Sequence, residues 1–416
     1  MLHLPDSSDP RAQLAQAALR AGLDAAMPRH ALSAAIKARY SKPPANGKTW
    51  VCAVGKSACA MAQAFAATYP YPYSGMIVTR QGFDRPVHGF ELVTAAHPIP
   101  DERSARAGET LLALLRNMDV ETRVVFLISG GTSSLIFTPR DGVDPAKSIK
   151  IFETLYRMGL PITVMNALRQ RLSKTAAGAL ADATPPPIDT FVISDVTGDC
   201  PEAIGSGPTL WPLPLADDVT ESLPQEIRAM TSEPLGTPDT SRHVQIVASP
   251  NMALRAASDM LVRSGIRTVI DPFADGDVEA VSARHAAQLE AIAADGNAVA
   301  LLSGGELTLD FSNARSRPNA RGGPNQEYAL RMALMAAEQG RPTLAVAIDT
   351  DGIDGNGNAM GACVKSEALT DKNAAFEALF DHDVETFNNT HGHMIPGWPT
   401  GTNVNDLRIV VTSEGR

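Results

Sequence analysis

The chain has 416 residues, and 36 Lys and Arg stand against 46 Asp and Glu for a formal net charge of −10. Its 44% hydrophobic and 20% charged residues are typical of a folded globular protein, and the length predicts two or three domains. The negative balance argues against nucleic-acid binding, which needs clustered Lys and Arg, but still allows local pockets for small anions.

Short apolar runs alternate with helical patterns along the chain, which predicts βαβ units and layered α/β domains. The predicted strands are Trp50–Val54, Gly75–Thr79, Val124–Ser129, Thr190–Ser194, Val244–Ala248, Ala298–Ser303, Leu344–Ile348 and Leu407–Val411. The predicted helices are Ser57–Thr68, Glu102–Met118, Ala146–Met158, Ala167–Ala181, Met252–Arg263, Val278–Ala293 and Gln326–Glu338. Because the apolar runs are uninterrupted, we expect parallel strands that are covered on both faces.

A proline-rich stretch of weak periodicity, Trp211–Arg242, is the expected linker. We therefore predict one domain over residues 1–236 and a second over 237–416. No C-x-x-C pair, secretory signal or apolar run of about 18 residues is visible, so we expect a cytoplasmic protein without a membrane partner. The expected partner is a small-molecule substrate, and a homodimer is left open.

Two segments look like the end of a phosphate-binding P-loop, Gly47-Lys48-Thr49 and Gly55-Lys56-Ser57. Neither has the glycine that the motif requires five positions before its second glycine. The fingerprint G-x-G-x-x-G is also missing, since Gly355-Asn-Gly357 has Met360 in place of its third glycine. The sequence thus argues against both a Walker A loop and a dinucleotide-binding turn.

Two predicted strands end in the same tripeptide, Ser129-Gly130-Gly131 and Ser303-Gly304-Gly305. Glycines at strand ends allow a close backbone approach to a ligand, although many such pairs are ordinary turns. Lys56 follows another strand and is either a solvated turn residue or a ligand of phosphate or carboxylate. A second glycine-bearing loop runs over Ala203–Thr209.

Carboxylates and an arginine follow other predicted strands. Asp195 is a candidate general base or Mg²⁺ ligand, or the cap of a turn. The loop Asp349–Gly355, which contains Asp351, suits Mg²⁺ with phosphate oxygens, or is a solvated acidic turn. Arg321 precedes a helix and can bind a carboxylate or phosphate in a bidentate manner. Together these groups favour phosphoryl transfer.

In this order and spacing the motifs resemble the class II glycerate 2-kinases, whose C-terminal part is the MOFRL domain. The resemblance covers about Leu14 to Val411. It is carried by Val54-Gly-Lys-Ser-Ala58, His97-Pro-Ile-Pro-Asp101, Ile128-Ser-Gly-Gly131, Ile193-Ser-Asp-Val196, Ile204-Gly-Ser-Gly-Pro-Thr209, Ser303-Gly-Gly-Glu306, Arg321-Gly-Gly323, Asn325-Gln-Glu327, Thr350-Asp-Gly-Ile-Asp-Gly355 and Pro399-Thr-Gly-Thr-Asn-Val-Asn-Asp406.

The resemblance implies an N-terminal Rossmann-like α/β sandwich, a C-terminal MOFRL domain and an active site in the cleft between domains. It implies ATP- and Mg²⁺-dependent phosphorylation of the 2-hydroxyl of D-glycerate, giving 2-phosphoglycerate. Lys56 and Arg321 would bind the substrate carboxylate or the transferring phosphoryl group, Asp195 would be the base, and Asp351 with Asp195 would be metal candidates. The implied nucleotide-phosphate site comprises Gly130, Gly131, Thr132, Ser133, Ser134, Ser303, Gly304, Gly305 and Glu306.

Departures from the family pattern occur at Thr132, Ala176, Pro324 and Trp398, where relatives usually carry Gly, Lys, Arg and a lighter residue. The cation missing at Ala176 is either absent or supplied by Arg171 or Lys174. These changes allow a larger sugar acid as substrate.

Two functions are alternatives to the kinase. One is an NAD(P)H-dependent hydroxypyruvate reductase, disfavoured by the missing fingerprint, and one is a catalytically silent anion-binding protein.

Overall fold

The computed structural model describes residues 2–6, 8–141, 143, 147–148, 150–151, 154, 162–185, 187–215, 217–225, 227–228, 235, 242–312 and 319–413. Within these ranges, no helix is both long enough and apolar enough to cross a membrane. The described residues divide into two compact units, and each has its own sheet.

Helices and strands alternate through most of the chain. The strands are β1 Thr49–Val54, β2 Ser74–Arg80, β3 Phe90–Ala95, β4 Arg123–Ile128, β5 Ile188–Ile193, β6 His243–Ala248, β7 Arg267–Asp271, β8 Gly276–Asp277, β9 Val299–Ser303, β10 Leu307–Thr308, β11 Thr343–Asp349, β12 Ala359–Lys365, β13 Met394–Pro396 and β14 Asp406–Thr412. The helices are α1 Pro10–Ala26, α2 Pro28–Arg39, α3 Ala58–Thr68, α4 Glu102–Arg116, α5 Thr132–Leu135, α6 Ile162–Leu172, α7 Ala179–Asp182, α8 Asp217–Ser222, α9 Pro250–Arg263, α10 Val278–Ile292, α11 Pro324–Glu338, α12 Lys372–Phe380 and α13 Val384–Thr390.

The first compact unit, here called the parallel-sheet unit, comprises residues 28–195 and 199–247. Its strand order is β3-β2-β1-β4-β5-β6, and the neighbours from β3 to β5 run parallel. Chain order reverses between β1 and β4, so the sheet has its topological switch point there. Open α/β sheets bind ligands beyond the carboxyl ends of the strands at such a point.

The second compact unit, here called the mixed-sheet unit, comprises residues 1–27, 196–198 and 248–416. Its main sheet has the order β13-β12-β11-β14-β9-β7. Both faces of this sheet are buried: Val346 of β11 packs in one core with Leu19 of α1 and Leu254 of α9. Its neighbour Ala345 packs in the other core with Tyr328 of α11.

All eight predicted strands are confirmed within two residues at each end. The expectation of parallel strands is confirmed for the neighbours from β3 to β5 and for the pair of β7 and β9. It is wrong for three pairs in the mixed-sheet unit. These antiparallel pairs are β9 with β14, β14 with β11, and β11 with β12. An apolar run indicates only that both faces of a strand are buried. In the mixed-sheet unit helices cover both faces of the main sheet, so its antiparallel strands are apolar as well.

Two predicted helices need comment. The helix predicted over 167–181 is wrong as one element, because α6 ends at Leu172 and α7 begins at Ala179. Between them the Ser173 and Thr175 hydroxyls bond to each other, and Thr175 donates to the Ile136 carbonyl, which competes with helical backbone pairing. The helix predicted over 146–158 lies largely outside the described residues.

The predicted boundary at 236/237 also lies outside the described residues. Among the residues that are described, the main change of unit comes between Val247 and Ala248, and residues 1–27 belong with the C-terminal segment. The first helix joins that segment because its apolar side chains, including Leu19 and Leu23, complete the core beside α9. Gly22 allows the close approach, since a Cβ there would lie 3.0 Å from the Ala253 carbonyl oxygen of α9.

Candidate functional site

The turns that follow β1 and β4 are bound to each other at the topological switch point. The Lys56 amide donates to the Gly130 carbonyl at 2.9 Å, and the Ser57 amide donates to the Ser129 hydroxyl at 3.1 Å. Gly55 has a φ of +127°, and a Cβ there would lie 2.1 Å from the Ser129 hydroxyl oxygen. Only glycine fits this position, so the two loops form one backbone surface at the ligand-binding edge of the sheet.

The Ser129–Ser134 loop uses several of its hydroxyls internally. Thr132 is fully buried, and its hydroxyl lies within hydrogen-bond distance of the Val54 carbonyl at 3.0 Å and the Ser129 carbonyl at 2.8 Å. The Ser134 hydroxyl donates to the Pro98 carbonyl at 2.7 Å. The Thr132 hydroxyl therefore links this segment to the end of β1. The sequence did not indicate this structural role.

Three predicted or motif residues converge beside this loop. Gly131 has a φ of +86°, and a Cβ there would lie 2.9 Å from the His97 ring and 3.4 Å from Cγ of Lys56. Lys56 and His97 are therefore both adjacent to the Gly131 backbone. His97 stands in a motif that carried the family resemblance, but its place beside Lys56 was not predicted, because it depends on the fold.

Asp195 lies two residues beyond β5, and Ser194 before it is fully buried. Because β5 pairs in parallel with β4, and β4 with β1, Asp195 follows the same edge of the sheet as Lys56 and Gly130. The next three residues, Val196–Gly198, belong to the mixed-sheet unit. In that unit the Thr197 hydroxyl donates to the Asp275 carboxylate at 2.9 Å.

In the mixed-sheet unit, the loop that carries Arg321 packs against the acidic loop. A Cβ on Gly323 would lie 2.3 Å from Cγ of Asp354, so a side chain at 323 is excluded. The Asp354 carboxylate accepts hydrogen bonds from the Asn325 and Gln326 amides at 3.1 and 3.0 Å, and so it caps α11. Arg321 itself is exposed at the start of this loop.

A buried polar network continues from the cap to the second Ser-Gly-Gly loop. The Asn325 side chain donates to Asp406 at 2.6 Å, and the fully buried Arg408 donates to Asp406 at 3.1 Å. Arg408 also donates to the Ser303 hydroxyl at 3.0 Å and to the Gly304 carbonyl. Burial raises the pKa of Asp406, and Arg408 opposes that rise.

Several groups of this second loop are therefore already engaged within its own unit. Besides the Arg408 contacts, the Glu306 amide donates to the Asp275 carboxylate at 2.7 Å. A Cβ on Gly305 would lie 2.5 Å from the same carboxylate. The two Ser-Gly-Gly loops thus differ in their contacts, although their sequences and strand contexts match.

The acidic side chains of this loop are largely buried, which argues against a solvated acidic turn, the alternative to a magnesium-binding loop in the sequence analysis. Asp351 and Asp354 are 3% and 1% exposed. Asp351 accepts from the Ile353 amide at 3.0 Å, and burial raises the pKa of Asp354 to about 7. Within the described residues no group of three or more His, Cys, Asp or Glu side chains is arranged to hold a metal ion.

The predicted site residues therefore fall into two groups. Lys56, Gly130, Gly131, Thr132, Ser133, Ser134 and Asp195 belong to the parallel-sheet unit. Ser303, Gly304, Gly305, Glu306, Arg321 and Asp351 belong to the mixed-sheet unit. Most of these residues lie on loops at the ends of strands or before a helix, whereas Thr132, Ser133 and Ser134 lie in the short helix α5.

Comparison with known proteins gives these loops a family context. The model of a domain of unknown function, DUF4147, matches residues 14–232, and the MOFRL family model matches 299–406. A provisionally named hydroxypyruvate reductase of Agrobacterium vitis is 34% identical, over 88% of this chain and 87% of its own. A glycerate 2-kinase of Pyrococcus horikoshii is 30% identical, over 89% of each chain. The crystal structure of a Thermotoga maritima glycerate kinase matches with a TM-score of 0.80 at 25% identity, over 96% of this chain and 99% of its own.

The chain belongs to the glycerate kinase family. The two-domain α/β fold expected from the resemblance is confirmed by this neighbour and by the two layered units. The turns that follow β1 and β4 are formed by two of the motifs on which the family resemblance rests.

Two positions at which this glycerate kinase family member departs from the expected pattern are structurally accommodated. Pro324 is the first residue of α11, where its missing amide hydrogen costs no intrahelical bond. The Trp398 carbonyl contacts the acidic loop, because a Cβ on Gly352 would lie 1.7 Å from its oxygen. Both residues support the loops that carry Arg321 and Asp351.

Arg171 and Lys174, the two cations named as possible replacements for the one missing at Ala176, both have contacts of their own. Arg171 donates to the Ala167 carbonyl at 2.8 Å, and Lys174 pairs with Asp141. The residue that lines a cavity together with Ala176 and Ser133 is Arg169. No sequence signal distinguished Arg169 from Arg171, because the choice depends on which way α6 faces.

Proposed function

We propose that this chain is a kinase that transfers the terminal phosphoryl group of ATP, with Mg²⁺, to the 2-hydroxyl of D-glycerate, giving 2-phosphoglycerate. The observation that carries the proposal is the joined Lys56 and Gly130 turns at the switch point of the parallel sheet. Glycerate kinase relatives that align along most of the chain support the same reaction.

Phosphoryl transfer depends on positioning and on the neutralisation of charge. Lys56 supplies a cation beside the Gly131 backbone, where phosphate or carboxylate oxygens can be bound. Gly130, Gly131 and Ser133 form the nucleotide-phosphate surface in this proposal. The Ser303–Glu306 loop is given no such role, because Arg408 and Asp275 already occupy its hydroxyl and an amide.

Asp195 is proposed as the general base for the 2-hydroxyl of glycerate. In this step the glycerate hydroxyl loses its proton to the carboxylate as its oxygen forms a bond to the γ-phosphorus of ATP, and the bond from that phosphorus to the bridging oxygen breaks to release ADP. Its position beyond β5, at the edge that Lys56 and Gly130 also follow, supports this role. Arg321, exposed in the mixed-sheet unit, is proposed to bind the carboxylate or the transferring phosphoryl group.

The acidic loop suits a magnesium ion by its donor chemistry. Asp351 is buried together with Asp354 and Asp406, so a cation there would offset repulsion between neighbouring carboxylates. Mg²⁺ commonly takes only one or two protein carboxylates and completes its shell with water and phosphate oxygens. When bound, the ion would neutralise phosphate charge, with Asp351 as the proposed ligand and Asp195 as a second candidate.

We propose a cytoplasmic enzyme that acts on a small molecule without a nucleic-acid or membrane partner. A homodimer remains one proposed assembly, to be tested by light scattering coupled to size-exclusion chromatography.

A coupled assay with D-glycerate, ATP and Mg²⁺ tests the reaction. We expect glycerate-dependent ADP release, and ³¹P NMR should identify the product as 2-phosphoglycerate rather than the 3-phosphate. Release of ADP with larger sugar acids but not with glycerate would keep the kinase and change its substrate. The absence of ADP release with either acid would overturn the proposal.

The reductase is the second candidate, because the Agrobacterium vitis relative carries that provisional name at 34% identity. The first βα turn reads Val54-Gly-Lys-Ser-Ala58, which lacks the glycine spacing that admits a dinucleotide pyrophosphate. Oxidation of NADH or NADPH on addition of hydroxypyruvate, measured in parallel, would favour the reductase.

A further inference from the structure

The start of helix α13 binds the backbone of Arg321, and it has no role in the proposed reaction so far. The Arg321 amide donates to the Asp383 carboxylate at 3.0 Å, and the Glu385 amide donates to the Arg321 carbonyl at 2.9 Å. Both backbone groups of Arg321 are therefore bound by the residues on either side of Val384, the first residue of α13. Because Arg321 itself is exposed, these bonds fix the point from which its side chain extends.

The neighbours of Arg321 are bound to the segment that follows the acidic loop. The Gly322 amide donates to the Asn356 side-chain oxygen at 3.0 Å, and the Asn356 amide donates to the Gly322 carbonyl at 3.2 Å. The Asn356 side-chain nitrogen donates to the Ala320 carbonyl at 3.1 Å. The residues before and after Arg321 are thus both held by Asn356.

Glu385 connects these two sets of contacts. It is 6% exposed, and its carboxylate accepts hydrogen bonds from the Asn358 amide at 2.8 Å and from the Ala359 amide at 3.3 Å. A Cβ on Gly357 would lie 1.6 Å from a carboxylate oxygen of Glu385, so a side chain at 357 is excluded. Glu385 therefore binds Arg321 through its backbone and the segment after the acidic loop through its side chain.

An arginine that binds an oxyanion depends on where its backbone is held. The guanidinium recognises carboxylate or phosphate through a planar pair of N–H groups, so its productive geometry is narrow. A displacement of about 1 Å from that geometry can lower a rate by about 10²-fold. Carboxylates are suited to hold backbone amides, because hydrogen bonds to a charged acceptor are stronger than those to a neutral one.

We infer that Asp383 and Glu385 are positioning residues for Arg321. The inference rests on the proposed function, in which Arg321 binds the substrate carboxylate or the transferring phosphoryl group. Asp383 fixes the Arg321 amide, and Glu385 fixes the Arg321 carbonyl and the segment after the acidic loop. Both residues act through Arg321 and not by contact with a reactant.

A double-mutant cycle between Asp383 and Arg321 tests this role. Asp383→Ala removes the acceptor of the Arg321 amide, Asp383→Asn keeps a side-chain oxygen that can accept it, and Arg321→Met removes the guanidinium. Asp371→Ala is the matched control, because Asp371 accepts the Ala374 amide at 2.9 Å at the start of α12. The values of kcat and KM for glycerate and ATP are measured for each variant and for Asp383→Ala combined with Arg321→Met. Circular dichroism melting verifies that each variant folds.

We expect Asp383→Ala to lower kcat/KM by about tenfold, through the same constant, kcat or KM, that Arg321→Met changes. In the Arg321→Met background it should change kcat/KM by less than about twofold, because the guanidinium that it positions is already absent. Asp383→Asn should recover most of the loss. Asp371→Ala should lower the melting temperature and leave kcat/KM within about twofold of the wild type.

Hydrogen exchange measured by mass spectrometry tests the positioning without depending on turnover. Peptides that contain Arg321 and Gly322 should exchange faster in Asp383→Ala, which removes the acceptor of the Arg321 amide. They should also exchange faster in Glu385→Gln, which replaces one acceptor oxygen of the carboxylate by a donor. Asp371→Ala should leave the exchange of these peptides as in the wild type.

Full activity in Asp383→Ala overturns the inference, as do equal losses of kcat/KM in the two backgrounds or unchanged exchange at Arg321 in both positioning variants. If Asp383→Ala fails to fold, Glu385→Gln takes its place in the cycle. Normal turnover in Arg321→Met contradicts the role of Arg321 and overturns the inference with it. A wild-type chain that releases no ADP with glycerate contradicts the proposed function, and hydrogen exchange then decides whether Asp383 and Glu385 fix Arg321.

Discussion

The backbone of Lys56 takes part in the contact between the turns that follow β1 and β4. Its amide is bound to the Gly130 carbonyl, and the neighbouring Ser57 amide is bound to the Ser129 hydroxyl. Neither of these two bonds involves the Lys56 side chain, so we expect both to remain when that side chain is truncated. A substitution at this position should report on the charge of the ammonium group with little change in the loop.

Lys56→Ala is predicted to lower kcat/KM for glycerate phosphorylation by about 10²–10³-fold, because the proposed phosphoryl-transfer site would lose a preorganised cation. Steady-state kinetics with both substrates measures the effect. Lys48→Ala is the matched control, since Lys48 is exposed just before the amino end of β1. Normal turnover in Lys56→Ala would remove this residue from the mechanism.

Asp195→Asn keeps the size of the side chain and removes its basicity. We predict that phosphoryl transfer falls by about 10²–10⁴-fold while the Kd for ATP changes little, because a base acts on the hydroxyl proton only. Stopped-flow turnover and calorimetric titration measure the two effects. Asp199→Asn, in the same loop, is the control, and loss of ATP binding in Asp195→Asn would instead indicate a metal or structural role.

At the scale of elements, the packing of α1 on α9 is a close helix contact. Gly22 faces Leu407 and the Ala253 carbonyl, so an added methyl group would lie 2.8 and 3.0 Å from their atoms. Helix propensity alone favours alanine over glycine by about 1 kcal/mol. Overpacking a dense contact costs about 1–3 kcal/mol, so the two effects oppose each other.

Gly22→Ala is therefore predicted to lower the melting temperature, because overpacking outweighs helix propensity. Differential scanning calorimetry measures the change. Ala17→Gly, at a half-buried position of the same helix, calibrates the propensity effect and should itself destabilise. A higher melting temperature in Gly22→Ala would show that the helix shifts to accommodate the methyl group.

The elements that sequence could predict are those whose own residues carry the signal. Runs such as Val124–Ile128 are apolar throughout, and each predicted run of this kind forms a strand. By contrast β12, with the sequence Ala-Met-Gly-Ala-Cys-Val-Lys, has weak strand formers and was missed. Strand direction was also beyond the sequence pattern, since buried antiparallel and parallel strands look alike when both faces are covered.

In the candidate site, too, some features follow from local sequence and others depend on contacts between distant residues. The positions of Gly130 and Lys56 directly after strands were predictable, because the apolar runs that precede them are local features of the sequence. The buried Asp354 cap of α11 and the cavity position of Arg169 depend on contacts between residues distant in sequence. The two Ser-Gly-Gly loops differ for the same reason, because Arg408 and Asp275 contact the second loop from elsewhere in the chain.

At the scale of the whole molecule, the N-terminal helix is a structural part of the mixed-sheet unit. Its side chains share a core with α9 and β14, and the Thr402 hydroxyl donates to the Ala26 carbonyl at 2.8 Å. Burial of Leu19, Leu23 and their neighbours contributes on the order of several kcal/mol to that unit. The parallel-sheet unit contains none of residues 1–27 in the part of the chain described.

Deletion of residues 1–27 is predicted to destabilise the mixed-sheet unit selectively. Hydrogen exchange measured by mass spectrometry should show faster exchange at α9 and β14, because their apolar face loses its cover. Peptides from β1 and β4 serve as the internal control and should exchange as in the full chain. Equal loss of protection in both units would mean that the two fold as one cooperative body.

The return of α1 to the mixed-sheet unit imposes an order on synthesis. The ribosome completes α1 more than two hundred residues before it completes α9, the helix that α1 packs against. At translation rates of about 5–20 residues per second, that delay is on the order of ten to fifty seconds. During this time the parallel-sheet unit can fold. The apolar face of α1 stays without its α9 contact, because α9 has not yet been synthesised. A chaperone that binds nascent apolar helices would therefore find its target in the first 27 residues of this chain.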